Sequence, residues 1–262
     1  MVTIQFGKKQ IILPSSWEEL SNRQLTYAVK MLSSYPLFEA QLRIIFYLMP
    51  YFWKGVFKNC NDIERNALRL EFDFLTESPV FEKWLFSKIW IGFNIYHGPG
   101  DLFGNLNVRQ FARANFYLNK YSQSEDDIYL NKFLACIFLR KGDVFSDKLL
   151  QENYPKFTRL SKAKKQAIAL NFTAVREFVL GQLENAFERS DEKSKADKYG
   201  WDGMILHIAA QRHMVPDALY NMKLSEFIIQ LEVTAIKVHI IISGTAYNKC
   251  FRNGRNSIES AN

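Results

Sequence analysis

The sequence predicts a mainly α-helical protein, a multi-helix bundle with one small β-hairpin at its N-terminus. The first reason is the stretch Ser161 to Phe187, where Ile168, Phe172, Val175, Val179, Leu183 and Ala186 follow in steps of four, three, four, four and three. That is the period of a helix burying one face, and Ala167, Leu170, Ala174, Phe178 and Phe187 widen the stripe on both flanks. The second is that strand-like alternation around a turn is confined to Thr3–Leu13. The third is composition: 262 residues, 48% hydrophobic, with 22 Phe, 12 Tyr and 5 Trp, suffice for an aromatic core without covalent staples. A chain disordered throughout is excluded.

Taken in order, TIQF and QIIL flank Gly7-Lys8-Lys9 as the two strands of the hairpin, the only β structure expected. Ser16-Trp17-Glu18-Glu19 has the Ser-x-x-Glu spacing of a capping box. Ser21-Asn22-Arg23-Gln24 repeats it and opens a helix reaching about Ser33. Leu37–Met49 is helical in period until Pro50, followed by a broken aromatic segment and a helix over Asp62–Leu75. Phe81–Ile91 fits a helix but ends in bulky and β-branched residues, and glycine-rich Gly92–Gly104 reads as a loop.

Leu106-Asn107-Val108-Arg109-Gln110-Phe111 echoes the Leu20–Leu25 entry and starts a helix to about Tyr121. Glu125–Arg140 is another, with acids at its N-terminal end and Arg140 at its C-terminal end, as the helix dipole favours. Lys141–Pro155 reads as a loop with one helical turn near Ser146. The long helix then runs to Phe187. Glu188–Lys198 is almost wholly charged, a solvated linker. Gly200–His213 and Leu224–Ile242 read as the last helices, and from Ser243 the composition suits a frayed tail. The implied divisions are 1–97, 98–190 and 191–262, with one continuous domain as the alternative.

Candidate chemistry is sparse. Cys60, Cys136 and Cys250 are far apart with no CxxC, as for reduced thiols in an intracellular protein. His207 and His213, six apart, lie on different faces of a helix and do not form the i, i+4 pair of a zinc site; His97 and His239 stand alone. Gly92, Gly98, Gly100 and Gly104 lack the order of a phosphate loop, and no Ser or Cys has a nucleophile context. No enzyme activity, metal or cofactor is therefore expected. The Met1–Pro14 stretch has no secretory pattern, and neither Leu42–Phe57 nor Phe227–Gly244 reads as a membrane span, so a cytoplasmic protein is expected.

The formal net charge is +7, from 34 Lys and Arg against 27 Asp and Glu. Lys156, Arg159, Lys162, Lys164 and Lys165 concentrate five of those charges, without an acid among them, at the positive end of the long helix. An acidic protein surface or a nucleic-acid backbone would offset that placement, whereas a solvated basic turn needs no partner. Trp201, in Tyr199-Gly200-Trp201-Asp202-Gly203, would anchor a partner or plug the last two helices onto the bundle.

The layout of a hairpin ending in Pro14-Ser15-Ser16-Trp17-Glu18-Glu19-Leu20, a helical middle, Gly200-Trp201-Asp202-Gly203 after a charged linker, and Met222-Lys223-Leu224-Ser225-Glu226-Phe227 resembles small helical proteins encoded among bacteriophage tail genes, including tail assembly chaperones. The likeness covers mainly 1–33 and 199–237. It implies a non-enzymatic protein that binds a phage tail structural protein in the host cytoplasm. A groove between the Gly200–Ile242 helices and the long helix, with Trp201, Phe227 and Ile228 as contacts, would then receive a helical segment of the partner. The alternative is a nucleic-acid-binding module using Lys156–Lys165.

Overall fold

The computed structural model describes residues 1–6, 9–187, 205–206, 208–210 and 212–230. The expected fold class holds: helices dominate, and β1 (Val2–Phe6) pairs antiparallel with β2 (Lys9–Leu13), Val2 opposite Leu13 and Ile4 opposite Ile11. The chain divides into two compact units, Met1–Leu106 with Gln110–Phe178, and Asn107–Arg109 with Val179–Asn262.

In the first unit, α1 (Asn22–Ser34) starts at a capping box. Ser21 N–H donates to Gln24 Oε1 at 2.8 Å and Gln24 N–H donates back to Ser21 Oγ at 3.4 Å. The earlier Ser16 forms no such cap; Glu19 instead accepts from Ser15 N–H at 2.7 Å and from the Met1 ammonium. Leu25, Ala28 and Met31 point α1 inward, and it packs on α2 (Leu37–Leu48). The aromatic segment after Pro50 is not broken but helical, as α3 (Tyr51–Asn59). Proline is tolerated at a helix start, where its missing N–H is not needed: the Pro50 carbonyl accepts from Trp53 N–H, and Trp53 and Phe57, four apart, are buried. Asn61 and Glu64 form the capping box of α4 (Asp62–Leu70), which ends short of the expected Leu75, with a 3-10 turn at Asp73–Thr76.

A second hairpin corrects the reading of Phe81–Gly104. β3 (Lys88–Ile91) pairs with β4 (Asn94–His97) through a two-residue loop whose first member, Gly92, has φ +59°, a conformation costly for residues with a Cβ. His97 and Leu139 then exchange backbone hydrogen bonds at 2.7 and 3.0 Å, so α5 (Val108–Ser124) is followed by an α6 (Asp127–Ile137) that stops before the expected Arg140. The expected loop over Lys141–Pro155 also holds α7 (Asp147–Asn153), whose Leu149 N–H donates to Ser146 Oγ, and the start of a 3-10 turn at Tyr154–Arg159.

The long helix α8 (Lys162–Phe187) matches its expected span. Its Phe172 ring lies 4.8 Å from Phe103, 5.0 Å from Phe133, 5.8 Å from Phe111 and 6.5 Å from Trp84. Such aromatic contacts add to area burial by about 0.5–1.5 kcal/mol each. Next to Phe172, buried Asn171 holds an irregular chain segment: Leu85 N–H donates to its Oδ1 at 2.9 Å, and its Nδ2 donates to the Lys83 carbonyl at 3.2 Å. Those bonds satisfy part-buried backbone groups and fix the approach to β3.

In the second unit, helical backbone occurs at 205–206, 208–210 and 212, in α9 (Pro216–Asn221) and at 224–230. Pro216 occupies the first position of α9, where its missing N–H is not needed. Val108 N–H donates to the Met222 carbonyl, and Arg109 pairs with Asp217 at 2.8 Å with its guanidinium 5.4 Å from the Tyr220 ring. The Glu188–Lys198 linker, the start of the Gly200–His213 helix, the end of the Leu224–Ile242 helix and the tail lie outside the described residues.

Candidate functional site

The first unit contains an open cleft of about 1180 Å³ bounded by α1, Tyr47 of α2, β3 with the preceding Phe86, and the start of α8. Each wall follows from local periodicity. The buried face of α1 carries Leu25, Ala28 and Met31, which turns Arg23, Thr26, Tyr27, Lys30, Ser33 and Ser34 toward the cleft. In β3, Ile89 and Ile91 are buried, and alternation presents Lys88 and Trp90 to the cleft. At the start of α8, Ser161 accepts from Lys164 N–H at 3.4 Å, and Lys162, Lys164 and Gln166 line the third wall.

Arg23, Lys30, Lys88, Lys162 and Lys164 all line this cleft, and no carboxylate does. Among the described residues none of the five has an acidic partner within 4.0 Å. The first turn of α8 contains no acid, so the positive end of its dipole adds to the same field. Lys164 is partly buried, and desolvation holds its pKa below the ordinary lysine value. An anion in the cleft would favour its charged form.

Aromatic rings stand among these charges. Tyr27 and Tyr47 stack with centroids 3.9 Å apart and planes 14° from parallel. Trp90 is 64% exposed, and Phe93 beside the Gly92 turn is fully exposed. Arg159 borders that turn: its Nη1 lies 3.3 Å from where a Cβ on Gly92 would stand.

The basic run divides on folding. Lys162 and Lys164 enter the cleft and Arg159 stays exposed by the hairpin, while Lys156 donates to Asn153 Oδ1 at 2.7 Å. Lys165 departs from the expected surface cluster. Its side chain is 4% exposed, and its Nζ donates to Asp127 Oδ2 at 3.0 Å and Asn131 Oδ1 at 3.1 Å. A signal for this was present: Lys165, Ile168 and Phe172 are spaced three and four apart, which puts Lys165 on the buried stripe. Arg23 and Lys30, seven apart on one helix face, and Lys88 and Trp90, two apart on a strand, are the site residues that the sequence reading missed.

Of the expected partner contacts, Trp201 lies outside the described residues. Phe227 is 0% exposed, so its ring is interior rather than presented for docking, and Ile228 is half-buried. Of the segments expected to form the groove, residues 200–204, 207, 211 and 231–242 also lie outside the described ones.

Among the described residues no three His, Cys, Asp or Glu side chains are gathered to hold a metal ion. No helix among them is long and apolar enough to cross a membrane. Compared with protein-family models, curated proteins and solved structures, the chain matches none.

Proposed function

We propose that this is a non-enzymatic nucleic-acid-binding protein that grips a phosphate backbone in the basic cleft. The observation supporting this is the convergence of Arg23, Lys30, Lys88, Lys162 and Lys164 on one acid-free cleft without ion-pair partners among the described residues. A run of phosphates would neutralise all five and release its counterions, which makes such binding strongly salt-dependent. The test is fluorescence anisotropy with a labelled oligonucleotide, comparing the wild type with the double variant Lys162→Glu, Lys164→Glu. Both side chains line an open cleft, so circular dichroism should show an unchanged fold while binding is lost. Binding unaffected by the charge reversal, or absent in the wild type, would reject the reading.

The competing proposal is the phage tail assembly role implied by the resemblance, with a tail structural protein as partner. Exposed Leu37, Phe38, Tyr51, Phe52, Ile63 and Leu70 on α2–α4 favour a protein contact of some kind. Retention of a tail structural protein after nuclease treatment of a pull-down, with binding insensitive to the Lys162 and Lys164 variants, would favour this second reading.

A further inference from the structure

We infer that the cleft selects single-stranded over double-stranded nucleic acid, its rings stacking on unpaired bases while its cations hold the phosphates. The inference rests on the nucleic-acid reading above and specifies its ligand. In a duplex each base face is covered by the next base pair, so an aromatic side chain beside a phosphate-binding groove gains nothing from stacking. In a single strand every base has a π face to offer, whatever its sequence.

The walls alternate the two functions. Lys88 and Trp90 share one face of β3, about 7 Å apart along the strand. Trp90 is 64% exposed although its strand neighbours are buried, which leaves the indole open to a base. The Tyr27–Tyr47 stack joins α2 to the helix α1 that carries Arg23 and Lys30, all four residues line the cleft, and Tyr47 is 37% exposed. Lys162 and Lys164 supply the remaining charge at the start of α8, and the Ser34 and Ser161 hydroxyls add donors for phosphate oxygens. Cations interleaved with rings in an open groove form the arrangement that tracks a single strand; a cleft built only for backbone charge has no use for the rings.

The experiment measures anisotropy with three labelled probes: a mixed-sequence DNA strand of about a dozen nucleotides, within the usual site sizes, its blunt duplex, and a poly-glutamate peptide of matched charge. Single-strand affinity is expected to exceed duplex and peptide affinity at least tenfold. Trp90→Ala and Tyr47→Ala should each weaken single-strand binding by about tenfold, Trp90→Phe should restore most of it, and duplex binding should not change. Equal affinity for strand and duplex, or alanine variants without effect, would overturn the single-strand inference and leave backbone gripping intact. Failure of both nucleic acids to bind, or equally tight binding of the peptide, would overturn both.

Discussion

Replacing Lys165 with methionine removes an internal ammonium while keeping the apolar stem, and its cost follows from two hydrogen bonds. The bond to Asn131 Oδ1 at 3.1 Å serves a residue that is 4% exposed, so its loss leaves a buried acceptor without that donor, a penalty of about 1–3 kcal/mol. The bond to Asp127 Oδ2 at 3.0 Å is worth less, because that side chain is 45% exposed and its charge is partly screened by solvent. A partly solvated pair of this kind contributes about 1 kcal/mol. The expected loss is about 3 kcal/mol, and at roughly 2–4 °C per kcal/mol for a domain of this size the Tm falls by about 6–12 °C. Urea denaturation of Lys165→Met, Asp127→Asn and the double variant gives the coupling between the two side chains. Polyanion binding by folded Lys165→Met should match the wild type, since this lysine does not line the cleft. A stability loss below about 0.5 kcal/mol, the scale of an ordinary surface substitution, would refute the internal role. So would a folded variant that no longer binds.

Other expectations follow from packing and titration. A Cβ at Gly98 would lie 2.6 Å from both Phe138 Cε1 and the Phe86 carbonyl oxygen, so Gly98→Ala should destabilise by about 3 kcal/mol or more in thermal denaturation. Gly55 is exposed within α3 with nothing within 4 Å of such a Cβ, so Gly55→Ala should stabilise by about 0.5–1 kcal/mol. Phe172→Ala should cost about 3–5 kcal/mol by denaturant titration, because four aromatic neighbours lose their common contact. Oligonucleotide affinity should be full at neutral pH and begin to fall before ordinary lysines, near 10.4, deprotonate. The reason is that Lys164 has a lowered pKa and binding requires its ammonium form. Lys164→Arg should remove that early fall. The same lowered pKa makes charged Lys164 a cost to folding, relieved as pH rises through its folded pKa.

Helix α8 was legible because one apolar period persists over six turns or so, and α1 because its Ser21–Gln24 capping box satisfies backbone donors within a local sequence. Helix α3 was obscured because Pro50 stops one helix and opens the next, two roles that look alike in sequence. The second hairpin was hidden because Gly92 is one of several nearby glycines, and only its positive φ identifies it as the turn. At the candidate site, the Lys156–Lys165 run announced basic charge but not its division between cleft and interior. Asp127, which pairs with Lys165, is 38 residues away. Lys88 and Trp90 reach the same cleft through tertiary packing, which one segment's periodicity does not encode.

The most direct measurement is the salt dependence of oligonucleotide affinity for the wild type and for Lys30→Gln, Lys88→Gln, two cleft lysines remote from the basic run. If five cations each hold a phosphate of a single strand, log K should fall against log salt with a slope of about −3.5, and the double variant should reduce its magnitude by about 1.4. A slope that the two substitutions leave unchanged would show that binding occurs elsewhere and contradict the assignment of the cleft.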